Sequence, residues 1–468
     1  MKKTITYILF ALLFHSETKA FNADSVLTIC KSQMEVLLAN STSTTSYPRT
    51  LNAYSAVTFV GAADWTSGFF PGSLWYLGEY FKNTTIKSKA ASFTNGLSLQ
   101  QYNTSTHDVG FVLYCSYGNG YRINNDATSK EVLINTANSL MTRYNPTVGC
   151  TRSWSFGAWS FPVIIDNMMN LELLFWATRA TGDSTYYKAA VSHANRAMKE
   201  LVRSDYTSYH LVDFDPNTGE VLKRQTFQGA FDESVWARGQ GWELYGFTMC
   251  YRETGDVKYL ELARNITNWI KTHLPSDYVP YWDYLAPLIP NEPKDASAAA
   301  VYASALLELS TLDKQNSKEY FDLATSILEN LSKPTYLASG GANKGFILKH
   351  CTGNKPAKKE IDVPLNYGDY YFIEALTRYP KAKAILNSIN STSAEKLRLQ
   401  SNIVRNNLTI LGDEVAQIKE LTIFEMNGKA VLKSASTSVN LETLPSGNYI
   451  LRCFTTKGRS QTLRFYKL

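Results

Sequence analysis

The chain has 468 residues, of which 44% are hydrophobic, 19% charged and 13% aromatic, with a formal net charge of +6. That balance belongs to a folded globular protein and excludes a disordered one. The positive charge is spread along the chain, with no arginine-rich arm and no basic stripe interleaved with aromatics, so nucleic-acid binding is not expected.

The first 20 residues run Met1-Lys-Lys, an apolar stretch from Ile5 to Phe14, then Ser-Glu-Thr-Lys-Ala before Phe21. This is the layout of a secretory signal peptide, so the protein is expected to be exported. No later run approaches the roughly 20 apolar residues of a membrane span, and a soluble mature protein is expected. Export permits disulfides, but Cys30, Cys115, Cys150, Cys250, Cys351 and Cys453 are scattered and their spacing assigns no pair. Without a His-x-x-x-His or Cys-x-x-Cys pair, neither a metal nor another cofactor is expected.

From Phe21 to about Tyr379 apolar residues recur at three and four spacing, which predicts helices. Thr181-Gly-Asp-Ser-Thr-Tyr-Tyr and Thr254-Gly-Asp-Val-Lys-Tyr-Leu each place glycine where one helix would end and aspartate where the next would be capped. Leu77-Gly-Glu-Tyr-Phe reads as a degenerate third copy. Such repeats imply stacked helical hairpins. Polar and aromatic clusters between the hairpins, including Asp64 to Trp75, Trp154 to Asp166 and Tyr281 to Asp295, would then converge on one mouth of a closed helical ring. Residues 381–402 read as a polar linker. From Ile403 to Leu468 short alternating runs, with turns at Asn427-Gly428 and Pro445-Ser446-Gly447, predict a small antiparallel β-sandwich.

The chemistry concentrates in Gln228-Gly-Ala-Phe-Asp-Glu-Ser-Val-Trp-Ala-Arg-Gly-Gln-Gly-Trp. Tryptophan offers a flat apolar face to a sugar ring, arginine a fork for a carboxylate, and glutamine paired hydrogen bonds. With Ser234 as cap of a helix running through Leu244 and Phe247, Arg238 and Trp242 would share one face. Asp166, after Phe161-Pro-Val-Ile-Ile, and Asp108, beside Val109 and Phe111, stand among apolar neighbours that should raise their pKa values. A second nearby carboxylate would raise one of them further.

Asp64-Trp-Thr-Ser-Gly-Phe-Phe-Pro-Gly-Ser-Leu-Trp, His107-Asp-Val-Gly-Phe, Ile164-Ile-Asp-Asn-Met-Met-Asn-Leu, the Gln228 block, Tyr281-Trp-Asp, Lys294-Asp-Ala-Ser-Ala-Ala-Ala and Tyr367-Gly-Asp-Tyr-Tyr-Phe resemble, in order, the unsaturated glucuronyl hydrolases of glycoside hydrolase family 88. The resemblance implies an all-α (α/α)6 barrel over residues 21–380. It also implies hydration of a 4,5-unsaturated uronic acid at the non-reducing end of lyase-generated, glycosaminoglycan-type oligosaccharides. By the same resemblance Asp166 would be the general acid/base and Asp108 its partner carboxylate, with His210, Gln228, Trp236, Arg238 and Trp242 binding substrate; His107 is expected to orient Asp108 or touch the sugar, and Trp65 to form a pocket wall. Side-chain chemistry points to Arg238 or Gln228 for the uronate carboxylate and to Trp242 for stacking. Trp282 is a further candidate wall, Trp75 reads as core, and Lys355, Lys358 and Lys359 read as a solvated loop.

The β-rich tail, with Leu421-Thr-Ile-Phe-Glu-Met-Asn-Gly-Lys and Leu444-Pro-Ser-Gly-Asn-Tyr-Ile-Leu, resembles the C-terminal sorting domain of type IX secretion cargo. That implies the type IX machinery as a partner and the cell surface or medium as destination, with the periplasm as the alternative. The competing functional readings are an unsaturated rhamnogalacturonyl hydrolase and a glycan-binding protein on an inactive barrel.

Overall fold

The computed structural model describes residues 21–393, 397–412, 415–456 and 460–468. The expected signal peptide at 1–20 lies outside the described residues. The chain divides into two units, with the boundary between Ala382 and Lys383. Among the described residues no helix is long and apolar enough to cross a membrane.

The first unit is built on helices α1 (Ala23–Asn40), α2 (Phe69–Tyr80), α3 (Thr84–Asn95), α4 (Asn119–Asn124), α5 (Ala127–Met141) and α6 (Asn167–Thr181). It continues with α7 (Ser184–Glu200), α8 (Ala237–Thr254), α9 (Val257–His273), α10 (Ala296–Leu312), α11 (Ser317–Leu331) and α12 (Asn366–Ser393). A wider helical segment with π-type bonding, Gly110–Gly118, leads into α4. The helices alternate in character. In α7 burial is confined to one stripe, Tyr186, Ala189, Ala190, His193, Ala194, Ala197 and Glu200. Along α8 and α10, by contrast, every residue from Ala237 to Cys250 and from Ala296 to Leu307 is buried. A helix buried on all sides belongs inside, and one with a single apolar stripe belongs outside it. The even-numbered helices therefore form an inner ring and the odd-numbered ones an outer layer, which is the (α/α)6 arrangement.

Glycine and aspartate act where the repeats place them. Gly182 and Gly255 close α6 and α8 with left-handed φ values of 81° and 70°, and the carboxylates of Asp183 and Asp256 accept from Thr185 N–H and Lys258 N–H. The third copy departs from this pattern. Gly78 lies inside α2, where a Cβ would come within 2.6 Å of Lys87 Cγ, so it serves close approach of α3. Asn83 then caps α3 by accepting from Ile86 N–H.

Two other expectations are corrected. Ser234 does not cap α8, which starts at Ala237 with Trp236 in the cap position; the Ser234 hydroxyl instead donates to Asp283 at 2.6 Å. The expected linker at 381–402 is largely structured: α12 runs through Pro380 to Ser393, and strand Arg398–Leu399 follows. Ala382 and Leu386, one helical turn apart, are buried, which gives this stretch an apolar face that its polar composition conceals.

The loops that enter the inner helices carry the small β elements: hairpin Ser46–Leu51 with Val57–Gly61 before α2, and Pro162–Ile164 before α6. Strands Leu211–Phe214 and Val221–Gln225 precede α8, and hairpin Cys351–Asn354 with Lys359–Val363 precedes α12. All of them crowd the N-terminal ends of the inner helices. The second unit places five strands, ordered Ile403–Val404, Ser460–Lys467, Gly447–Thr455, Ile418–Glu425 and Ala430–Ser434, against three short ones. A shared core of Leu408, Ile410, Val439, Leu421, Ile423, Leu451 and Phe465 joins the two sheets as a sandwich. The pairing is antiparallel except for Ile403–Val404, which runs parallel to the last strand.

The inner ring is tied through one buried carboxylate. Glu374 of α12 accepts from Tyr76 of α2 at 2.8 Å, Tyr245 of α8 at 3.2 Å and Ser304 of α10 at 2.5 Å. Truncation would take the carboxylate acceptor from three hydroxyls and leave Arg378, whose guanidinium lies 3.3 Å from both Glu374 and Glu308, with one of its two carboxylates. Glu374→Ala is therefore expected to destabilise the barrel by roughly 3–5 kcal/mol, read as a lower denaturant midpoint in the full chain.

Candidate active site

A cavity of about 240 Å³ opens at the N-terminal ends of the inner helices. Its lining includes Trp65, His107, Asp108, Asp166, Gln228 and Arg238 together with Arg49, Trp154, Phe156 and Phe227. A wider cavity of about 570 Å³ lies between the C-terminal halves of the same helices. Its acids Glu172 and Glu374 are already bonded to Arg252, Tyr76, Tyr245 and Ser304, so free acid–base groups belong to the smaller cavity.

Asp166 sits immediately before α6, held there by the buried strand Pro162–Ile164. Burial raises its pKa to about 7; the Arg238 charge opposes the rise and Asp108 adds to it. Asp166 Oδ2 is buried and makes no hydrogen bond to the protein. His210 Nε2 stands 3.8 Å from it. The other ring nitrogen of His210 accepts from the backbone N–H groups of Phe227 at 2.8 Å and Gln228 at 3.2 Å. Burial pushes the pKa of this histidine down to about 3. His210 is therefore neutral, and its proton sits on Nε2 facing Asp166.

Asp108 is the more open acid, with 20% of its side chain exposed. Burial still raises its pKa to about 7, against the Thr106 hydroxyl, which donates to it at 2.8 Å, and with a further push from Asp64. His107 Nε2 lies 3.3 Å from Asp108 Oδ1, and burial makes this histidine neutral too, with a pKa near 3. The sequence thus signalled both acids correctly as desolvated.

The recognition block is arranged differently from the expected grip. Arg238 is 1% exposed, and its fork donates to Asp295 at 2.8 Å, Thr352 O at 2.6 Å and Gly353 O at 2.7 Å. It lies over the rings of Trp236 and Tyr367, and Trp236 packs on His210. Arg238 therefore offers positive charge to the cavity, not a free bidentate edge. Gln228 lines the cavity, with its amide nitrogen donating to Gly353 O at 3.2 Å. Trp242 is fully buried between Phe111 and Tyr371, so no sugar can stack on it. Its indole N–H makes no hydrogen bond of good geometry, yet lies near enough to Asp166 to favour the carboxylate.

The open aromatic face comes from elsewhere. Trp154 stacks on Phe156 with centroids 4.9 Å apart, Phe227 packs on both, and Phe156 is 55% exposed. The spacing Trp154-x-Phe156, which puts two rings on one side of an extended segment, was the available signal. Arg49, which donates to both Asp64 and Glu360, forms another wall that the sequence reading missed. Trp75 is core, with its N–H on Thr94. Trp282 is not a wall: it is buried, donates to Glu292 and lies under Lys355. Lys359 reaches the cavity. Among the described residues no group of three or more His, Cys, Asp or Glu is placed to hold a metal.

Residues 43–386 match Glycosyl Hydrolase Family 88. The chain belongs to this family. An unsaturated glucuronyl hydrolase of Formosa agariphila is 48% identical over 71% of this chain and 84% of its own length. The unsaturated chondroitin disaccharide hydrolase of Streptococcus agalactiae is 34% identical over 68% of this chain and 82% of its own. A crystal structure of an unsaturated glucuronyl hydrolase specific for heparin superposes with a TM-score of 0.75 at 46% identity, covering 78% of this chain and 99% of the other. The cavity thus belongs to a family 88 glycosidase.

In this family 88 barrel, Asp166 has a stability signature. Its native pKa of about 7 lies above the ordinary 3.8, so between those values the native state holds a proton that the unfolded state has released. The stability linked to this proton is complete below pH 4 and is lost as pH rises through 7. Asp166→Asn, which cannot ionise, is expected to raise the melting temperature relative to the unmodified protein at pH 8, with the difference fading towards pH 4. A constant difference across that range would contradict the assignment.

Proposed function

We propose that the enzyme releases a 4,5-unsaturated uronic acid from the non-reducing end of lyase-generated glycosaminoglycan-type oligosaccharides by hydrating its enol ether. The observation that carries the reading is Asp166: a cavity-lining carboxyl whose pKa of about 7 lets it hold a proton near neutrality and release it on demand. Protonation of C4 by Asp166 moves the double-bond electrons away from C5 and leaves an oxocarbenium centre there, stabilised by the ring oxygen. Water attacks C5 and its proton returns to the Asp166 carboxylate. The hemiketal so formed opens and sheds the next sugar.

Asp108 is the partner carboxyl, and the neutral imidazoles of His107 and His210 supply N–H groups to the two acids without adding charge. Arg238 contributes a positive potential for the uronate carboxylate, with Gln228 as the polar contact beside it. The leaving sugar faces Trp154, Phe156 and Phe227. The unsaturated uronate is the feature common to the substrates that the relatives' names imply, whereas chondroitin and heparin differ in the sugar behind it.

Asp166→Asn is expected to abolish loss of the enol's ultraviolet absorbance on unsaturated chondroitin and heparin disaccharides while circular dichroism stays unchanged. An active variant would sink the acid/base assignment. For the unmodified enzyme kcat/KM should fall as pH rises above about 7, as Asp166 loses its proton. Faster turnover of unsaturated pectin fragments would favour the rhamnogalacturonyl reading.

Export is proposed as well, supported by the leader-like residues 1–20 and the sorting-domain likeness of the second unit. Cell fractionation is expected to find the protein at the surface or in the medium; a cytoplasmic protein retaining residues 1–20 would refute this.

A further inference from the structure

We propose that Asn170 is a positioning residue that locks His107 as the Nε2–H tautomer, so that the imidazole proton faces Asp108. Asn170 lies on α6 one turn after Asp166, 1% exposed and outside the cavity lining. Its side chain reaches three places. Asn170 Oδ1 accepts the backbone N–H of Phe111 at 2.9 Å, and because that oxygen must face a donor, the amide orientation is determined. The nitrogen end then lies 3.3 Å from His107 Nδ1 and 3.5 Å from the carbonyl of Asp166.

An amide N–H pointed at Nδ1 requires a lone pair there. A neutral imidazole has one proton, which is left to Nε2, the atom 3.3 Å from Asp108 Oδ1. The opposite tautomer would set a lone pair against the carboxyl and an N–H against an N–H. The close approach of this amide to the backbone depends on glycine at 110, where a Cβ would stand 2.3 Å from Asn170 Oδ1. The groups facing Asp108 are the Thr106 hydroxyl, His107 and the charges of Asp64, Arg143 and Asp166. Of these groups His107 is the one whose tautomer decides whether a ring N–H or a lone pair faces Asp108, and Asn170 makes that choice.

The arrangement mirrors His210, where backbone N–H groups of Phe227 and Gln228 impose the same tautomer towards Asp166. Asn170 thus couples the two acids from behind: it sets the donor for Asp108 and touches the carbonyl of Asp166.

The test reads the tautomer directly. In the full chain labelled with ¹⁵N-histidine, long-range ¹H–¹⁵N correlation spectra are expected to show His107, identified by its loss in His107→Gln, as the Nε2–H form. Asn170→Asp places a second acceptor opposite Nδ1 and should move the proton there or make the ring cationic. It should lower kcat on the order of tenfold or more, as misplaced tautomers do, shift the pH profile, and change KM less than kcat, since Asn170 itself lies outside the cavity lining. Finding Nδ1–H in the unmodified protein overturns the proposal whatever the variants do. An unchanged His107 tautomer and kcat in Asn170→Asp, or in Asn170→Ala if the first variant does not fold, also overturns it. The proposal rests on Asp108 acting as partner carboxyl, and the two failures are distinct. A wrong tautomer refutes the part played by Asn170, whereas full activity in Asp108→Asn refutes the part played by Asp108.

Discussion

The buried pair of Arg238 and Asp295 is the constraint on which the site depends. Two opposite charges, 1% and 0% exposed, have been taken out of water at a cost of several kcal/mol each. The cost is offset by the hydrogen bonds each makes to the other and to nearby backbone. Arg238 holds the carbonyls of Thr352 and Gly353, while Asp295 accepts from Thr352 N–H and caps α10 through Ser297. One ion pair therefore fastens the start of α8, the start of α10 and the hairpin before α12. The same guanidinium restrains the rise in the Asp166 pKa. An unneutralised site would hold its acid protonated well past neutrality; a freely mobile arginine would quench it. Fixing Arg238 keeps Asp166 between those limits.

How much of this was legible in the sequence depends on the range of the interaction. Local signals read well. Glycine followed by aspartate at 182–183 and 255–256 marks helix junctions because both residues act on backbone within a few positions. The apolar flanks of Asp166 and Asp108 announced their desolvation for the same reason. Long-range commitments did not read. Arg238 looked like a free fork because its true acceptors, Thr352 and Gly353, lie more than a hundred residues away. Trp242 shares a helix face with Arg238, yet one turn deeper that face enters the core, where Trp242 packs against Phe111 and Tyr371. Phe156 was overlooked because serine and glycine around it read as loop. The helix from 381 to 393 was hidden by its polar composition and by Pro380, which remove the usual pattern without forbidding a helix held by its packing.

Burial is the largest influence on the two acids and the two imidazoles, and it moves them in opposite directions. Desolvation raises the carboxyls and depresses the histidines, so near neutrality the acids exchange protons while the histidines do not. On the proposed reading, acid–base duty falls to aspartate in a site that holds histidine, the residue ordinarily suited to that pH.

The cavity volume carries a consequence for the enzyme's place in a degradative sequence. At about 240 Å³ it falls just below the range of roughly 300–1,000 Å³ common for small-molecule sites, which is room for a single ring with its neighbour at the aromatic rim. Flux through such an enzyme is counted in chain ends, not in mass of polysaccharide. Each cut by an upstream lyase creates one substrate molecule whatever the length of the fragment, so cleavage frequency upstream, and not polymer abundance, sets the pace of uronate release.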